Sequence, residues 1–246
     1  MTAALEIAIQ DTEGYRIAAD AGAARVELCA GLAATGGLTP SAGLLGTVLG
    51  ARAYVRGTGH TAPEVHVLIR TRPGDFHYRE HEADVLIRDV RMARDSGADG
   101  VVVGGLTASG EVDRPLLTRL VEAAEDIAVT FHRAIDTVAD PLAALDQLAD
   151  AGVTRVLTSG GAPRAIDGVD RLAALVAHSA GRVQVMAGGG VRPQDIPALT
   201  ELGVDAVHLS ASRAVSADGG PGGGGDAGYT VTDPELVAAA AQAIRG

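Results

Sequence analysis

The chain contains no lysine: all 20 of its Lys and Arg positions are arginine. Without an ε-amino group no Schiff base can form on it, so neither aldimine chemistry with carbonyl substrates nor pyridoxal phosphate is expected. Tryptophan is absent and aromatic residues make up only 2% of the chain, which leaves little on which to stack bases or sugars. The single cysteine, Cys29, excludes an intrachain disulfide and the usual Cys-x-x-Cys zinc sites. No run of about 18 apolar residues occurs, and Glu6 interrupts the N-terminal segment where a secretory signal would be apolar. The expectation is a cytoplasmic protein with no membrane partner. Its net charge of −11 argues against a nucleic-acid surface while still permitting a local basic pocket.

What is present is a repeated unit. Gly22-Ala-Ala-Arg25-Val26-Glu27-Leu28-Cys29 recurs as Gly97 to Gly104, as Gly152 to Ser159 and as Gly203 to Ser210. In each, a glycine stands where a helix should end in a left-handed cap, and a short strand starts about three residues later. Four more strands are predicted at Leu5–Ile9, Val65–Thr71, Ile127–Phe131 and Val183–Ala187. Helical patterns fill the gaps at Thr12–Ala21, Ser41–Arg56, Glu80–Ser96, Asp113–Ala124, Pro141–Ala151, Gly168–His178, Pro193–Leu202 and Pro234–Ile244, the last opened by a capping box from Thr232 to Glu235. Eight strands alternating with eight helices specify a (β/α)8 TIM barrel, an α/β fold with a parallel eight-stranded barrel. It is expected to occupy residues 1–246 as a single domain, with Asp218–Gly228 as a flexible loop before the last helix. Gln10-Asp11-Thr12 follows the first strand in place of a dinucleotide fingerprint, so no nicotinamide cofactor is expected.

Strand alternation assigns faces. Val26, Val101, Val156 and Val207 pack outward, while Glu27, Val102, Leu157 and His208 face the interior, followed by Cys29, Gly104, Ser159 and Ser210. The same parity turns Glu6, His66, Arg70, Arg72, Thr130, His132, Gln184 and Met186 inward. Barrel interiors are ordinarily aliphatic, and so much buried charge requires pairing or a solvated pocket. Glu6, Glu27, His132 and His208 are therefore candidate acid–base groups. Asp136, at the end of the Val129–Asp136 stretch where a buried strand runs into charge, would orient His132. Arg70 and Arg72 would clamp an anion. Ser159, Gly160, Gly188, Gly190 and Ser210 would offer loop amides and hydroxyls to a phosphate. Blander alternatives stand beside these. A carboxylate–arginine network can simply hold a barrel closed, histidines at a mouth can be satisfied hydrogen-bonding residues, and glycine is common here, at 33 of 246 positions. Met186 can accompany Cys29 as a soft Cu(I) ligand, although a core methionine ordinarily packs. His77 and His81 form an i,i+4 pair only if both are helical.

Several of these segments carry a resemblance. Arg25-Val-Glu-Leu-Cys29, Gly36-Gly-Leu-Thr-Pro-Ser41, Ile69-Arg-Thr-Arg-Pro-Gly-Asp-Phe76 with Tyr78, Thr130-Phe-His-Arg-Ala134 with Asp136, and Leu157-Thr-Ser-Gly160 closely resemble the CutC family. The likeness thins out after Arg213. It implies a TIM barrel and a cytosolic role in copper homeostasis through Cu(I) binding, with Cys29 as a metal ligand and no established reaction. Some members of that family have a second cysteine where this chain has His77, and many have Ile-Arg-Pro-Arg where this chain has Ile-Arg-Thr-Arg. Copper handling is thus expected from the resemblance. The residues themselves point to acid–base chemistry on a small anionic, phosphorylated or sugar-like substrate. A structural or interaction protein with an empty pocket is the third possibility, and a homo-oligomer is expected in each case.

Overall fold

Each glycine of the repeated unit is left-handed in the computed structural model of the protein, which describes residues 3–216 and 228–246. The φ angles are 77° at Gly22, 92° at Gly97, 83° at Gly152 and 82° at Gly203. Side chains are disfavoured in that conformation. The four glycines follow α1 (Thr12–Asp20), α4 (Glu80–Asp95), α6 (Pro141–Asp150) and α8 (Ile196–Glu201), and lead into β2 (Arg25–Leu28), β4 (Gly100–Val103), β6 (Arg155–Thr158) and β8 (Ala206–Leu209). Between these units lie β1 (Ala4–Ile9), β3 (Glu64–Leu68), β5 (Ala128–Phe131) and β7 (Gln184–Gly188). The intervening helices are the one-turn α2 (Leu32–Thr35), then α3 (Ala42–Gly57), α5 (Arg114–Ala124) and α7 (Val169–Ser179), and α9 (Pro234–Arg245) follows at the C-terminal end. Strands β1 to β8 pair in parallel in chain order and close through β8 on β1. This is the (β/α)8 barrel.

Local chemistry sets most helix starts. The side chains of Asp11, Ser41, Asp113 and Asp140 accept backbone N–H groups in the first turns of α1, α3, α5 and α6. At α9 the cap is Asp233, which accepts from Glu235 and Leu236, and not Thr232 as the capping-box pattern suggested. Thr232 instead ends β10 (Tyr229–Thr232), which pairs antiparallel with β9 (Ser212–Val215). That pair was not foreseen. Of the expected loop Asp218–Gly228, all but Gly228 lies outside the described residues. Among the described residues no helix is long and apolar enough to cross a membrane.

The predicted strand faces are observed. Val26, Val101, Val156 and Val207 join the large apolar core between barrel and helices. Inside the barrel, Leu157, Met186 and Ala206 form one small apolar group and Cys29, Leu68 and Val102 another. The register places Glu6 level with Arg25 on one neighbouring strand and His208 on the other. One strand departs from expectation. β3 ends at Leu68 rather than Thr71; at Arg70 the backbone turns to pair with Thr39, whose N–H donates to the Arg70 carbonyl at 3.0 Å. Parity therefore says nothing about Arg72.

Candidate functional site

Glu6 is fully buried at the centre of an ionic group. Arg25 Nε donates to its Oε2 at 2.6 Å and His208 Nδ1 donates to its Oε1 at 2.7 Å. Burial pushes the Glu6 carboxyl up, but the His208 hydrogen bond and the Arg25 charge outweigh it and hold the group well below the usual carboxylate range. His208 shifts the other way. Desolvation lowers its pKa, while the bond to Glu6 and the charges of Glu27 and Glu6 raise it further, so the net direction is upward. Each member of the pair thus favours the charged form of the other. Arg25 escaped the sequence reading even though it lies two residues before Glu27, on the same face. Arg155, which donates to Thr130 and Gln184, lies two residues before Leu157 and was missed in the same way.

Above this group a pocket of about 260 Å³ opens among the loops at the carboxyl ends of the strands. Glu27, Arg70, His132, Gly190, His208 and Ser210 line it, together with Arg133, Gly189 and Phe76, which the sequence reading did not single out, and the aliphatic Leu32, Leu68 and Leu157. Glu27 is buried, and its carboxylate has no hydrogen bond to another described residue; the nearest cation is His208 Nε2 at 3.9 Å from Oε2. Desolvation pushes its carboxyl up to about 7, against the attraction of His208 and with the repulsion of Glu6. It is poised to exchange a proton near neutral pH.

His132 is held differently from expectation. Its Nδ1 accepts the Ala134 backbone N–H at 3.2 Å, which fixes the neutral ring with its proton on Nε2. That Nε2 is buried and has no hydrogen-bond partner among the described residues. The ring packs against Phe76, with centroids 4.7 Å apart, and over Gly104, where a Cβ would overlap it. Burial, then the nearby Arg70 charge, depresses its pKa to about 3. His132 is a neutral N–H donor.

Asp136 does not orient His132. It accepts from Thr158 Oγ1 at 2.6 Å, from the Ser159 and Gly161 amides at 3.1 Å each, and from Ser159 Oγ at 3.0 Å. The Ser159–Gly161 turn, expected to hold phosphate with Ser159 and Gly160, thus already closes on a carboxylate of the chain itself. Neither residue lines the pocket, and Gly188 lies beneath it, its Cα packed against Leu157 and His208.

The arginine pair is also reassigned. Arg72 is not in the pocket: it donates to Glu82 at 2.5 Å and to Asp75 at 3.0 Å and braces the loop before α4. Arg70 does line the pocket. Its Nη groups donate to the carbonyls of Thr35, Gly37 and Gly74, and its buried Nε has no partner among the described residues. The second guanidinium at the pocket is Arg133. Asp136 holds its Nε at 2.8 Å and Ser159 Oγ its Nη2 at 2.9 Å, while Nη1 has no partner among the described residues. Gly189 has φ 110°, a conformation side chains rarely adopt, and a Cβ there would fall 2.8 Å from the Arg133 guanidinium carbon.

The soft-metal donors do not converge. Cys29 is buried, its thiol donates to the Ile9 carbonyl at 3.6 Å, and desolvation and then the Glu27 charge push its pKa up, so it stays a thiol. Met186 sits in the other interior group, where Arg25 donates to its sulfur at 3.7 Å. Among the described residues no three His, Cys, Asp or Glu side chains are placed to hold a metal ion. His77 precedes α4, so His77 and His81 do not share a helix face. These residues do not fit a Cu(I) site.

Comparison with known proteins agrees on kinship. The sequence profile of the CutC family matches residues 3–213. A CutC family protein of Photobacterium profundum is 38% identical over the whole of both chains. One from Bacteroides thetaiotaomicron is 41% identical over 87% of this chain and 82% of its own. A crystal structure of a candidate copper homeostasis protein CutC from Streptococcus agalactiae superposes with a TM-score of 0.77 at 29% identity, covering 85% of this chain and 99% of the other.

Proposed function

The chain belongs to the CutC family, and from that premise we propose that it is an enzyme that performs acid–base chemistry on a small anionic substrate in the pocket at the barrel mouth. The observation that carries this is the Glu27 carboxylate, buried at the pocket wall without a hydrogen bond and 3.9 Å from a histidine whose charge Glu6 stabilises. A purely structural ion network would pair its carboxylates, because an unpaired buried charge is costly. Glu6 is held by two hydrogen-bonded cations, whereas Glu27 has only the longer 3.9 Å contact to His208 and no hydrogen bond from a described residue. In TIM barrels the carboxyl ends of the strands carry the chemistry, and Glu27 and His208 come from two of those strands. Arg133 and Arg70 supply cationic N–H groups toward the same space, and the Gly189–Gly190 turn brings backbone close to it. A pocket smaller than the roughly 300–1,000 Å³ that receives drug-sized ligands suits a compound of a few carbons.

The test is a ligand-observed NMR screen of small phosphates and carboxylates against the wild type and Arg133→Ala. Saturable binding that Arg133→Ala weakens supports the anion pocket. Binding of none, or binding indifferent to Arg133, contradicts it.

The second reading comes from kinship. The Streptococcus agalactiae relative is described in terms of copper homeostasis, and the same role for this chain would rest on Cys29 as its soft ligand. Its thiol is buried and its neighbours offer no second soft donor, so no step is routed through copper here. An anaerobic Cu(I) titration against a competing chelator, with wild type and Cys29→Ser side by side, decides the matter. Tight one-to-one binding lost in the variant would install copper at Cys29; weak or unchanged binding would remove the copper reading. A cytoplasmic location and a homo-oligomeric state belong to the same proposal. Fractionation and light scattering test them.

A further inference from the structure

Proton abstraction beside a carbonyl needs two groups on opposite sides of one small molecule. A carboxylate must take the proton, and a neutral hydrogen-bond donor must receive the charge that develops on the oxygen. Two groups that line the pocket have the chemical character these tasks require. The Glu27 carboxylate accepts no hydrogen bond from the described residues, and the buried His132 Nε2–H donates none. In His132 the opposite nitrogen is committed to the Ala134 amide, so the donor's identity is set by the backbone and not by solvent. The Phe76 ring and the Arg70 guanidinium beside it keep the imidazole uncharged. A buried donor without an acceptor is a standing penalty, which a substrate oxygen would remove.

We infer that the pocket enolises a small carbonyl compound bearing a carboxylate or phosphate, with Glu27 as the base and the His132 Nε2–H as the oxygen's hydrogen-bond donor. This deepens the acid–base reading above and rests on it. Glu27 takes a proton from the carbon next to the carbonyl. The C–H electron pair forms the carbon–carbon double bond, and the carbonyl π pair moves to oxygen, where the His132 N–H stabilises it. The proton on Glu27 exchanges with solvent and returns to the same face: at the same carbon this completes a cycle of hydrogen exchange, and at the neighbouring carbon, with the hydroxyl proton passing from one oxygen to the other, an isomerisation. No oxidant, reductant or co-reactant enters the balance. His208, kept cationic by Glu6, does not exchange its proton in this scheme; it lowers the energy of the ionised base. The Nη1 of Arg133, beside the Gly189–Gly190 turn, holds the substrate's anionic end.

The experiment is deuterium wash-in at carbon, followed by proton NMR in D2O, with hydroxypyruvate as the carboxylate probe and dihydroxyacetone phosphate as the phosphate probe. Wild type should exchange the C–H next to the carbonyl of one of the two above the buffer rate, and which probe responds names the anion. Glu27→Gln should lose about 100-fold or more. His132→Ala should lose about 100- to 1,000-fold. His132→Gln, which keeps a neutral N–H near the same place, should retain exchange to within about tenfold, an outcome that a titrating histidine would not give. Thermal melts confirm that each variant is folded. Probes that bind without exchange overturn the enolisation and leave the anion pocket standing; failure of both probes to bind overturns both. Exchange that survives Glu27→Gln overturns the assignment of the base.

Discussion

Replacing Glu27 by glutamine should make the protein more stable, and only above mildly acidic pH. In the fold, desolvation raises this carboxyl to about 7 from an ordinary value of 4.5, the repulsion of Glu6 being offset by His208. An acid whose pKa is raised by folding is bound to its proton more tightly in the native state. Between about pH 4.5 and pH 7 the native chain thus holds more protons than the unfolded one, and stability falls as pH rises through that window. Each pH unit of difference is worth about 1.4 kcal/mol, so ionised Glu27 costs the native state about 3 kcal/mol above pH 7. Glutamine has nearly the same shape and no charge to desolvate. At pH 8 the Glu27→Gln variant should melt about 6–12 °C higher than the wild type, a range taken from the usual response of chains of this length. At pH 4.5 the difference should shrink to about 0.4 kcal/mol, because wild-type Glu27 is then protonated in the native state and half protonated in the unfolded one. Thermal melts read by circular dichroism from pH 4.5 to pH 8.5 measure the difference, and other titrating groups cancel between the two proteins. Equal melting temperatures across the range would refute the reasoning: Glu27 would then be an ordinary solvated carboxylate. A variant that gains stability while losing exchange activity would show that the site is held in an unfavourable state for its chemistry.

Glu6→Gln should do the opposite. Burial alone would raise this carboxyl, yet the His208 bond and the Arg25 charge lower it, so its stabilisation is present above about pH 4.5 and is lost as pH falls toward its depressed native value. Removing it strands two buried cations, and urea unfolding at pH 7 should show a loss of about 3–5 kcal/mol. Gly104→Ala should push the His132 ring out of place, costing about 1–3 kcal/mol in the same assay and lowering carbonyl exchange with it. Asp136→Asn removes the charge on which the Ser159–Gly161 turn and Arg133 converge. It should cost about 3 kcal/mol of stability and weaken anion binding in NMR titrations, whereas Arg133→Ala should weaken binding by about 10- to 100-fold with little loss of stability.

The barrel was legible because its signals are local and repeated. A left-handed glycine and a strand three residues later need no knowledge of the rest of the chain, and alternation then sorts each strand into two faces. Glu27, His208 and His132 were found by that rule, since each lies within a strand or one residue past its end. Arg25 and Arg155 obey the same rule and were overlooked because attention fell on the strands' carboxyl ends. Arg25 is the counterion of Glu6 and Arg155 binds Thr130 and Gln184, so the charge of the barrel's lower interior is met from the strands' amino ends.

Alternation is a property of the ladder, and where the ladder stops it carries no information. β3 stops at Leu68; beyond it the loop decides where Arg70 and Arg72 go, and it sends one into the pocket and the other to Glu82 and Asp75. The same limit explains Asp136 and Arg133. Both lie in a 310 turn, Arg133–Thr137, just past β5, so the residue that reaches the pocket is set by how the turn folds onto β6. A glycine-rich turn after β6 is a correct sign of an anion site. Composition cannot say whether the anion comes from outside or, as with the Asp136 carboxylate, from the next turn of the same chain. That difference determines the substrate end of the pocket. With the β6 turn already filled by Asp136, a ligand's charge must be met between the Gly189–Gly190 turn and Arg133, and so the Arg133→Ala titration, rather than any change at Ser159 or Gly160, tests where the anion sits.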